Sequence, residues 1–289
     1  MGEREFCKEN TNRKNSFFSI HFVHSITSLS NPHVKYVVKL QQGRFRRESG
    51  RFLIDGFREI ERAIDCGFEI CEIFFQNEIV GKFLGLEKRN EFFRKLSPLN
   101  AEMFDVSASV FEKIAFGERR EGIVAVAKSR LLDWNELRLP TNPLIGVVER
   151  VEKPGNLGAI LRSADGAGFD AVFVADPLCD VFNPNTIRAS LGTVFHVPTI
   201  VDTSERILRE LLNRKIAIAA AKCDGSVPYT DFDWAGPSAI VLGTEADGLS
   251  EIWNHPEVRP IHLPMHGIAD SLNVSNAAAI LFYEARRNR

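Results

Sequence analysis

Short apolar runs alternate with helix-like segments from Leu144 to the end of the chain, and this alternation limits the fold more than any other feature. The apolar runs are nearly continuous, as in strands that are buried on both faces of a sheet. The predicted strands span 144–149, 170–175, 197–201, 215–221, 239–242 and 258–263, and the predicted helices span 156–167, 184–191, 204–213 and 273–287. Alternating strands and helices predict an α/β fold, in which a parallel sheet has helices on both faces.

A smaller α/β unit is predicted ahead of this region, because the first half of the chain alternates in the same way. Its predicted strands span 52–55, 70–75, 103–106 and 122–127, and its predicted helices span 57–66, 83–96 and 107–115. Residues 128–143 lose this periodicity and contain two prolines, which is typical of a domain boundary. We therefore predict a polar flexible arm (1–25), a small α/β domain (26–127), a linker (128–140) and a second domain (141–289).

The composition is that of an ordinary globular protein, with 44% hydrophobic and 26% charged residues. No apolar run approaches the roughly 18 residues that a membrane span needs. Acidic residues in the N-terminal segment argue against a transit peptide. The five cysteines are scattered without a C-x-x-C pair, which favours a reducing compartment and argues against disulfides and a zinc site. We therefore predict a cytoplasmic protein with no membrane span and no bound metal.

Positive charge is concentrated near the start of the predicted small domain, where residues 26–60 contain seven Lys or Arg and only three Asp or Glu. A local basic cluster on a nearly neutral protein is typical of a nucleic-acid-binding surface. An ordinary solvated surface gives the same pattern, so charge alone leaves both interpretations open. The candidate nucleic-acid contacts in this cluster are Lys39, Arg44, Arg46, Arg47 and Arg51.

The first candidate ligand-binding segment is K-P-G-N-L-G-A-I-L-R, residues 153–162, which follows a predicted strand and opens a helix. Backbone N–H groups at the start of a helix attract anions and polar ligands. Asn156 and Arg162 can flank one cleft if Asn156 lies in the loop before the helix. A helix cap at Asn156 and an ordinary surface arginine at Arg162 are the alternative interpretation. Asp176 stands where a dinucleotide fold holds a ribose, but the pattern G-x-G-x-x-G is absent.

Two further candidate segments also follow predicted strands. Residues 242–249 (L-G-T-E-A-D-G-L) contain two glycines, which favour a close backbone approach. Residues 261–276 (I-H-L-P-M-H-G-I-A-D-S-L-N-V-S-N) form a small, polar stretch that leads into a helix with small residues in its first turns. Because ligands of parallel sheets bind at the carboxyl ends of the strands, both segments are candidate walls of a binding site. A simple polar turn and a helix N-cap at Asn273 are the alternatives.

In this order, the three segments resemble the three motifs of the SpoU (TrmH-type) branch of the SPOUT RNA methyltransferases. The motifs are N-x-G-x-x-x-R, G-x-E-x-x-G and I-x-L-P-M followed by S-L-N-V-S, and the stretch 183–190 is also similar to the family. The resemblance covers residues 141–289 almost end to end. Residues 26–127 resemble the small RNA-binding substrate domain that many members carry in front.

The resemblance implies a second domain with a parallel SPOUT sheet and a deep trefoil knot, through which the chain forms a homodimer. It also implies that S-adenosyl-L-methionine binds in the knot and donates a methyl group to a ribose 2′-hydroxyl of RNA. 23S ribosomal RNA is the expected substrate, because the accessory domain accompanies rRNA-modifying members. The implied cofactor-binding residues are Leu242, Gly243, Thr244, Ile261, Leu263 and Leu272, and the implied catalytic residues are Asn156, Arg162, Glu245, Ser271 and Asn273.

Arg162 is the residue that the family indicates as the activator of the hydroxyl. A guanidinium is effectively never deprotonated in proteins, so we do not interpret Arg162 as a general base. We expect it to clamp the phosphate next to the target ribose and to stabilise negative charge on the attacking oxygen.

Three alternatives stay open from the sequence. The first is a ribose 2′-O-methyltransferase that acts on tRNA, since the motifs do not identify the RNA. The second is a non-catalytic RNA-binding protein of the same fold, which the intact set of site residues argues against. The third is a nucleotide-dependent oxidoreductase, which the missing glycine pattern argues against.

Overall fold

The computed structural model describes residues 23–117, 121–244, 248–287 and 289, and its strands form two separate sheets. The strands of the first sheet are β1 (Val23–Ile26), β2 (Arg51–Asp55), β3 (Ile70–Phe75), β4 (Glu102–Val106) and β5 (Ile123–Lys128). Their spatial order is β1-β4-β3-β5-β2, with parallel pairing except where β5 runs antiparallel to β3 and β2. The helices of this part are α1 (Pro32–Lys39), α2 (Gly43–Ser49), α3 (Phe57–Asp65), α4 (Asn77–Leu96) and α5 (Ala108–Ile114).

Three elements of this first part, β1, α1 and α2, were not predicted from the sequence. Strand β1 starts at Val23, inside the predicted arm 1–25, because it pairs with the distant strand β4. Helix α1 has a local start signal, since Asn31 accepts a hydrogen bond from the backbone N–H of His33 and Pro32 follows it. Helix α4 also begins before its predicted start at Phe83, and its backbone leaves the helical conformation at Gly85, with φ 71°.

The second sheet has seven strands, and all of its pairings are parallel. They are β6 (Leu144–Glu149), β7 (Ala171–Ala175), β8 (Thr199–Asp202), β9 (Ala217–Ala221), β10 (Val227–Pro228), β11 (Ser238–Leu242) and β12 (Val258–His262), in the spatial order β10-β12-β9-β11-β6-β7-β8. The helices are α6 (Pro154–Gly166), α7 (Pro184–Ala189), α8 (Ser204–Asn213) and α9 (Val274–Arg287), with 3₁₀ turns at Thr193–Phe195, Tyr229–Asp231 and Glu251–Asn254.

The buried strands confirm the predicted α/β fold with a C-terminal parallel sheet. Every residue of β6, β7 and β11 is buried, as expected for strands with helices on both faces. In β6, Leu144 and Val148 pack with α6 and α9, whereas Ile145 and Val147 pack with α8. Helices α6 and α9 therefore cover one face of the sheet and α8 covers the other.

The two sheets are joined by a packed interface. The ring of Phe52 on β2 stacks on the ring of Phe182, with 4.4 Å between centroids. Beside this pair, Nε of Arg46 on α2 lies 2.6 Å from a carboxylate oxygen of Asp180. Aromatic stacking and a buried ion pair across one junction hold the two parts in a defined relative position.

The predicted linker 128–140 is attached to the second part. Trp134 and Leu137 are buried in the hydrophobic cluster that α8 shares with the sheet. The indole N–H of Trp134 also donates to a carboxylate oxygen of Asp202 at 2.7 Å. Among the helices that the structure describes, none has the length and apolar character needed to cross a membrane.

Candidate active site

A cavity of about 540 Å³ opens at the carboxyl ends of β12, β9 and β11, which are neighbours in the second sheet. Three segments form its wall, and each follows one of these strands. The lining residues include Ala221–Asp224 after β9, Leu242–Thr244 with Gly248 and Leu249 after β11, and Ile261–Leu263 with Met265 and Asp270–Leu272 after β12. Val274, Ala277 and Leu281 of α9 add an apolar surface.

All six residues expected to hold the cofactor line this one cavity. They come from two distant stretches of sequence: Leu242, Gly243 and Thr244 from one, and Ile261, Leu263 and Leu272 from the other. Strands β11 and β12 lie on either side of β9, so their carboxyl ends bring the two stretches together. The segments that were expected to bind a ligand at the ends of parallel strands therefore line one cavity.

Gly243 lies where two backbone segments almost touch. A β-carbon placed on Gly243 would overlap the backbone of Gly248 and would lie 2.6 Å from the amide nitrogen of Leu249. Thr244 and Gly248 also exchange backbone hydrogen bonds of 3.0 and 3.2 Å. The close approach predicted from the two glycines is thus present, and only glycine fits at position 243.

Asn156 and Asn273 meet across the start of two helices. Nδ2 of Asn273 lies 3.3 Å from Oδ1 of Asn156. Asn273 also caps α9, because its Oδ1 accepts from the backbone N–H and the hydroxyl of Ser275. Asn156 lines a smaller cavity of about 120 Å³, which shares Gly243, Thr244 and Val274 with the main one.

The position of Asn156 corrects one expectation. It lies inside α6, which begins at Pro154 with Lys153 as its N-cap residue, and not in the loop before the helix. Proline is favoured at the first helical position, so the helix starts earlier than its apolar pattern indicates. Ser271 lies in the wall of the main cavity. Glu245 lies outside the described residues.

Arg162 does not line the main cavity. It lies six residues after Asn156 on α6, which is about 9 Å along the helix axis and on another face. Its side chain lines a separate shallow depression together with Gly155, Asn185 and Arg188. Arg162 is exposed and makes no hydrogen bond or ion pair with the residues that the structure describes.

Sequence reasoning missed Glu149, the last residue of β6, which is 1% exposed. Its carboxylate accepts hydrogen bonds from the backbone N–H and hydroxyl of Ser250, at 2.8 and 2.6 Å, and from the indole N–H of Trp253, at 2.9 Å. These bonds hold the segment that contributes Leu249 and Glu251 to the main cavity. The sequence feature that could have identified Glu149 is an acidic residue at the end of an otherwise apolar strand.

The predicted basic cluster divides into exposed and buried members. Lys39, Arg44 and Arg47 are exposed, and Arg51 is partly exposed beside Glu72. Arg46 is buried, because its Nη1 donates to the carbonyls of Leu40 and Gln41 while its Nε pairs with Asp180. Tertiary packing uses the guanidinium of Arg46, which argues against the predicted contact of this residue with nucleic acid.

Asp176, which the sequence offered as a ribose-binding acid, bonds to the start of a helix. The carboxylate of Asp176 accepts from the backbone N–H of Ser204 at 3.0 Å and so fixes the start of α8. Within the described ranges, no three His, Cys, Asp or Glu residues are grouped so that they could hold a metal ion.

Two protein-family models match the chain. The SpoU rRNA Methylase family model matches residues 143–283, and the MRM3-like substrate binding domain model matches residues 31–125. Similar curated proteins include the 23S rRNA (guanosine(2553)-2′-O)-methyltransferase RlmP of Bacillus subtilis (strain 168), which is 28% identical over 90% of this chain and 98% of its own length. The 23S rRNA (guanosine-2′-O-)-methyltransferase RlmB of Ralstonia nicotianae is 30% identical over 70% of this chain and 83% of its own length.

Solved structures match over nearly the whole chain as well. A crystal structure of an AdoMet-bound rRNA methyltransferase from Sinorhizobium meliloti superposes with a TM-score of 0.82. It is 27% identical to this chain, and the match covers 92% of this chain and 98% of that one. The arrangement of both sheets is therefore shared with known proteins.

Proposed function

This chain belongs to the SpoU rRNA methylase family, and on that premise we propose that it methylates a ribose 2′-hydroxyl of 23S ribosomal RNA with S-adenosyl-L-methionine as methyl donor. A cytoplasmic location is part of the same proposal. The main observation in its favour is that one cavity collects all six residues expected to bind the cofactor. The two asparagines of the first and third motifs also lie in hydrogen-bonding contact beside it.

The cavity fits S-adenosylmethionine in shape and in charge. Gly243 lets the 248–249 backbone pack against the end of β11, and this contact shapes the cavity wall. Nδ1 of His262, in the cavity wall, is buried and has no hydrogen-bond partner among the described residues, which supports its pairing with a polar ligand atom. Asp224, Glu251 and Asp270 line the cavity and suit a ligand that carries positive charge. We therefore place the cofactor here, held by the segments after β11 and β12.

When bound, S-adenosylmethionine supplies an electrophilic methyl group on a positively charged sulfur. The residues of this site would orient the ribose 2′-oxygen toward that methyl group, and the 2′-proton would leave to a neighbouring phosphate or to water. Asn156, Ser271 and Asn273 order the acceptor nucleotide in this proposal, and Glu245 keeps the catalytic role that the motif implies. Arg162 lines the separate depression, where it holds the adjacent phosphate in this proposal. Its expected role in stabilising the oxygen stays a prediction.

The small domain, residues 26–127, docks the RNA in this proposal, and the MRM3-like match supports it. Lys39, Arg44, Arg47 and Arg51 are its candidate phosphate contacts. Contacts with phosphate release counterions, so binding through these residues is expected to weaken steeply as salt increases. The arm 1–25 and the linker 128–140 stay proposals, with the difference that Val23 begins β1 and that Trp134 and Leu137 pack on the second part.

A trefoil knot and a homodimer complete the proposed architecture. The tight backbone contact of Gly243 with the 248–249 segment supports threading at this point, because a passing chain needs small residues. Ile280 and Tyr283 on α9 are 40% and 55% exposed and offer an apolar surface for a second copy. Sedimentation of the purified protein would measure the oligomeric state, and a monomer at micromolar concentration would exclude the dimer.

The direct test uses purified protein, S-adenosylmethionine with a labelled methyl group, and unmodified transcripts of 23S rRNA and of tRNA. We expect label in 23S rRNA at one nucleotide, located as a 2′-O-methyl group by alkaline-resistance mapping. Label only in tRNA would replace the RNA substrate in this proposal. Cofactor binding without transfer to either RNA, or to total RNA from cells that lack the gene, would favour the non-catalytic alternative.

A further inference from the structure

A second polar concavity lies on the outside of α6, apart from the cofactor cavity. This depression has a volume of about 490 Å³ and lies between α6, α7 and the residues that follow α7. Its lining residues are Gly155, Arg162, Asn185, Arg188, Ala189 and Leu191. The set contains two arginines and an amide but no carboxylate.

Close packing of α6 on α7 brings the two arginines to the same depression. A β-carbon placed on Gly158 would lie 2.7 Å from the β-carbon of Ala189 and 2.5 Å from the carbonyl oxygen of Thr186. Arg162 lies one helical turn after Gly158 on α6, and Arg188 directly precedes Ala189 on α7. Since this contact fixes the two helices, the positions of both guanidiniums on one surface are built into the fold.

The two guanidiniums have no counter-charge in the described part of the protein. Arg162 and Arg188 are both exposed, and neither makes a hydrogen bond or an ion pair with a described residue. Some other arginines of this domain are paired, such as Arg206 with Asp202 and Arg287 with Glu284. Two like charges that share a depression repel each other, and an anion between them removes that repulsion.

The depression also lies at the junction with the small domain. A β-carbon placed on Gly117, in the segment after α5, would lie 2.7 Å from Nη1 of Arg188. On the other side, Nη1 of Arg62 on α3 donates to the carbonyl of Leu191 at 2.6 Å. Arg188 therefore stands between the domain that docks RNA and the helix that carries Arg162.

We propose that Arg188, which none of the three motifs contains, forms a phosphate-binding site with Arg162 and guides the substrate RNA backbone from the small domain to the active site. This inference rests on the proposed function. Guanidinium groups suit phosphate because they donate in a planar, bidentate geometry, and Asn185 adds a further donor at the rim. The ligand is the sugar–phosphate backbone, so the contact adds affinity without base specificity.

The test compares Arg188→Ala with Arg209→Ala. Arg209 is also exposed and has no partner among the described residues, but it lies on α8, on the opposite face of the sheet. The probe is a 23S rRNA transcript, and its Kd is measured between about 50 and about 200 mM salt. We expect Arg188→Ala to weaken binding roughly tenfold at the lower salt and to reduce the slope of log K against log salt by about 0.7 to 0.9.

Arg209→Ala is expected to leave both quantities unchanged, and the affinity for S-adenosylmethionine is expected to stay the same in both variants. Equal RNA affinity and equal salt slope for the two variants would overturn the proposal. The proposal would also be overturned if sedimentation showed that Arg188→Ala changes the oligomeric state and that this change accounts for the whole loss of RNA affinity. A wild-type protein that binds the transcript but methylates no RNA would contradict the proposed function and leave the phosphate site measurable.

Discussion

Substitutions of Arg162 can show whether its guanidinium assists methyl transfer through its positive charge or through its planar geometry. If the positive charge is what matters, Arg162→Lys keeps a measurable part of the activity, since lysine still binds a phosphate as a point charge. Arg162→Ala is expected to lose most of it, roughly 100-fold or more, as for the loss of one electrostatic stabiliser of a transition state. Single-turnover methyl transfer with saturating cofactor measures both variants.

Two results would change this view of Arg162. Equal and complete loss of activity in both variants would indicate that bidentate geometry matters and charge alone does not. Full activity in Arg162→Ala would remove the residue from the mechanism.

Cys223 lines the main cavity and Cys179 does not, so comparing the labelling of the two thiols can detect a ligand bound in this cavity. Cys223 is exposed and lines the cavity, whereas burial, with Asp180 adding to it, raises the pKa of the Cys179 thiol to about 11. Only the thiolate reacts with alkylating reagents, so Cys179 is expected to stay unmodified at neutral pH. Cys223 is expected to react, and bound S-adenosylmethionine is expected to slow that reaction at least severalfold.

Peptide mass spectrometry after a short treatment with iodoacetamide measures each cysteine separately, and Cys223→Ser provides the background. Labelling of Cys223 at the same rate with and without saturating cofactor would place the cofactor elsewhere. As pH rises toward 11, the thiolate fraction of Cys179 grows, so its labelling should then increase.

At the scale of the element, Glu149 explains how the segment after β11 keeps its shape. In the described residues of this segment, the helical structure is the short 3₁₀ turn Glu251–Asn254. The hydrogen bonds from Ser250 and Trp253 to the buried carboxylate fix the segment to the end of β6. Strand β6, the neighbour of β11 in the sheet, thus positions one wall of the main cavity.

Glu149→Gln is expected to lower the free energy of unfolding by about 1–3 kcal/mol, because an amide cannot accept all of these donors and leaves some of them unsatisfied. It is also expected to weaken S-adenosylmethionine binding. Glu205→Gln is the matched control, since Glu205 is exposed at the start of α8. Urea unfolding and calorimetric titration give the two readouts, and a Glu149→Gln protein that matches this control in both would exclude the positioning role.

At the scale of the whole molecule, the neighbours Arg46 and Arg47 separate assembly from RNA binding. Arg46 joins the two sheets through its buried ion pair with Asp180, while Arg47 is exposed and has no partner among the described residues. Breaking a buried pair from one side costs about 3–5 kcal/mol, so Arg46→Gln is expected to destabilise the protein by that order. Arg47→Gln is expected to leave stability unchanged and to weaken RNA binding.

Urea unfolding and RNA titration measure the two effects. We expect Arg46→Gln to lose stability and Arg47→Gln to lose RNA affinity at unchanged stability. A loss of RNA affinity in a fully stable Arg46→Gln protein would restore Arg46 to the RNA-binding surface. The sequence could not distinguish these adjacent arginines, because helix α2 turns one toward Asp180, which is far away in the chain, and the other toward solvent.

The sequence by itself determined the elements with strong local signals. Strands β6, β7 and β11 are apolar throughout because both of their faces are buried, and such runs are visible without a structure. The helix caps at Ser107 and Asn183 are local as well, since capping depends on residues two or three places apart. The motifs also contain six residues that line the main cavity, which is the proposed cofactor site.

Only the tertiary structure decided what depends on distant contacts. Strand β1 exists because it pairs with β4, and Arg46 is buried because Asp180 lies beside it. Glu149 gained its role from Ser250 and Trp253, about one hundred residues later. Arg188 met Arg162 because α7 packs on α6 at Gly158. Local patterns record burial and capping, whereas the partner of a charged side chain is fixed only when the chain folds back on itself.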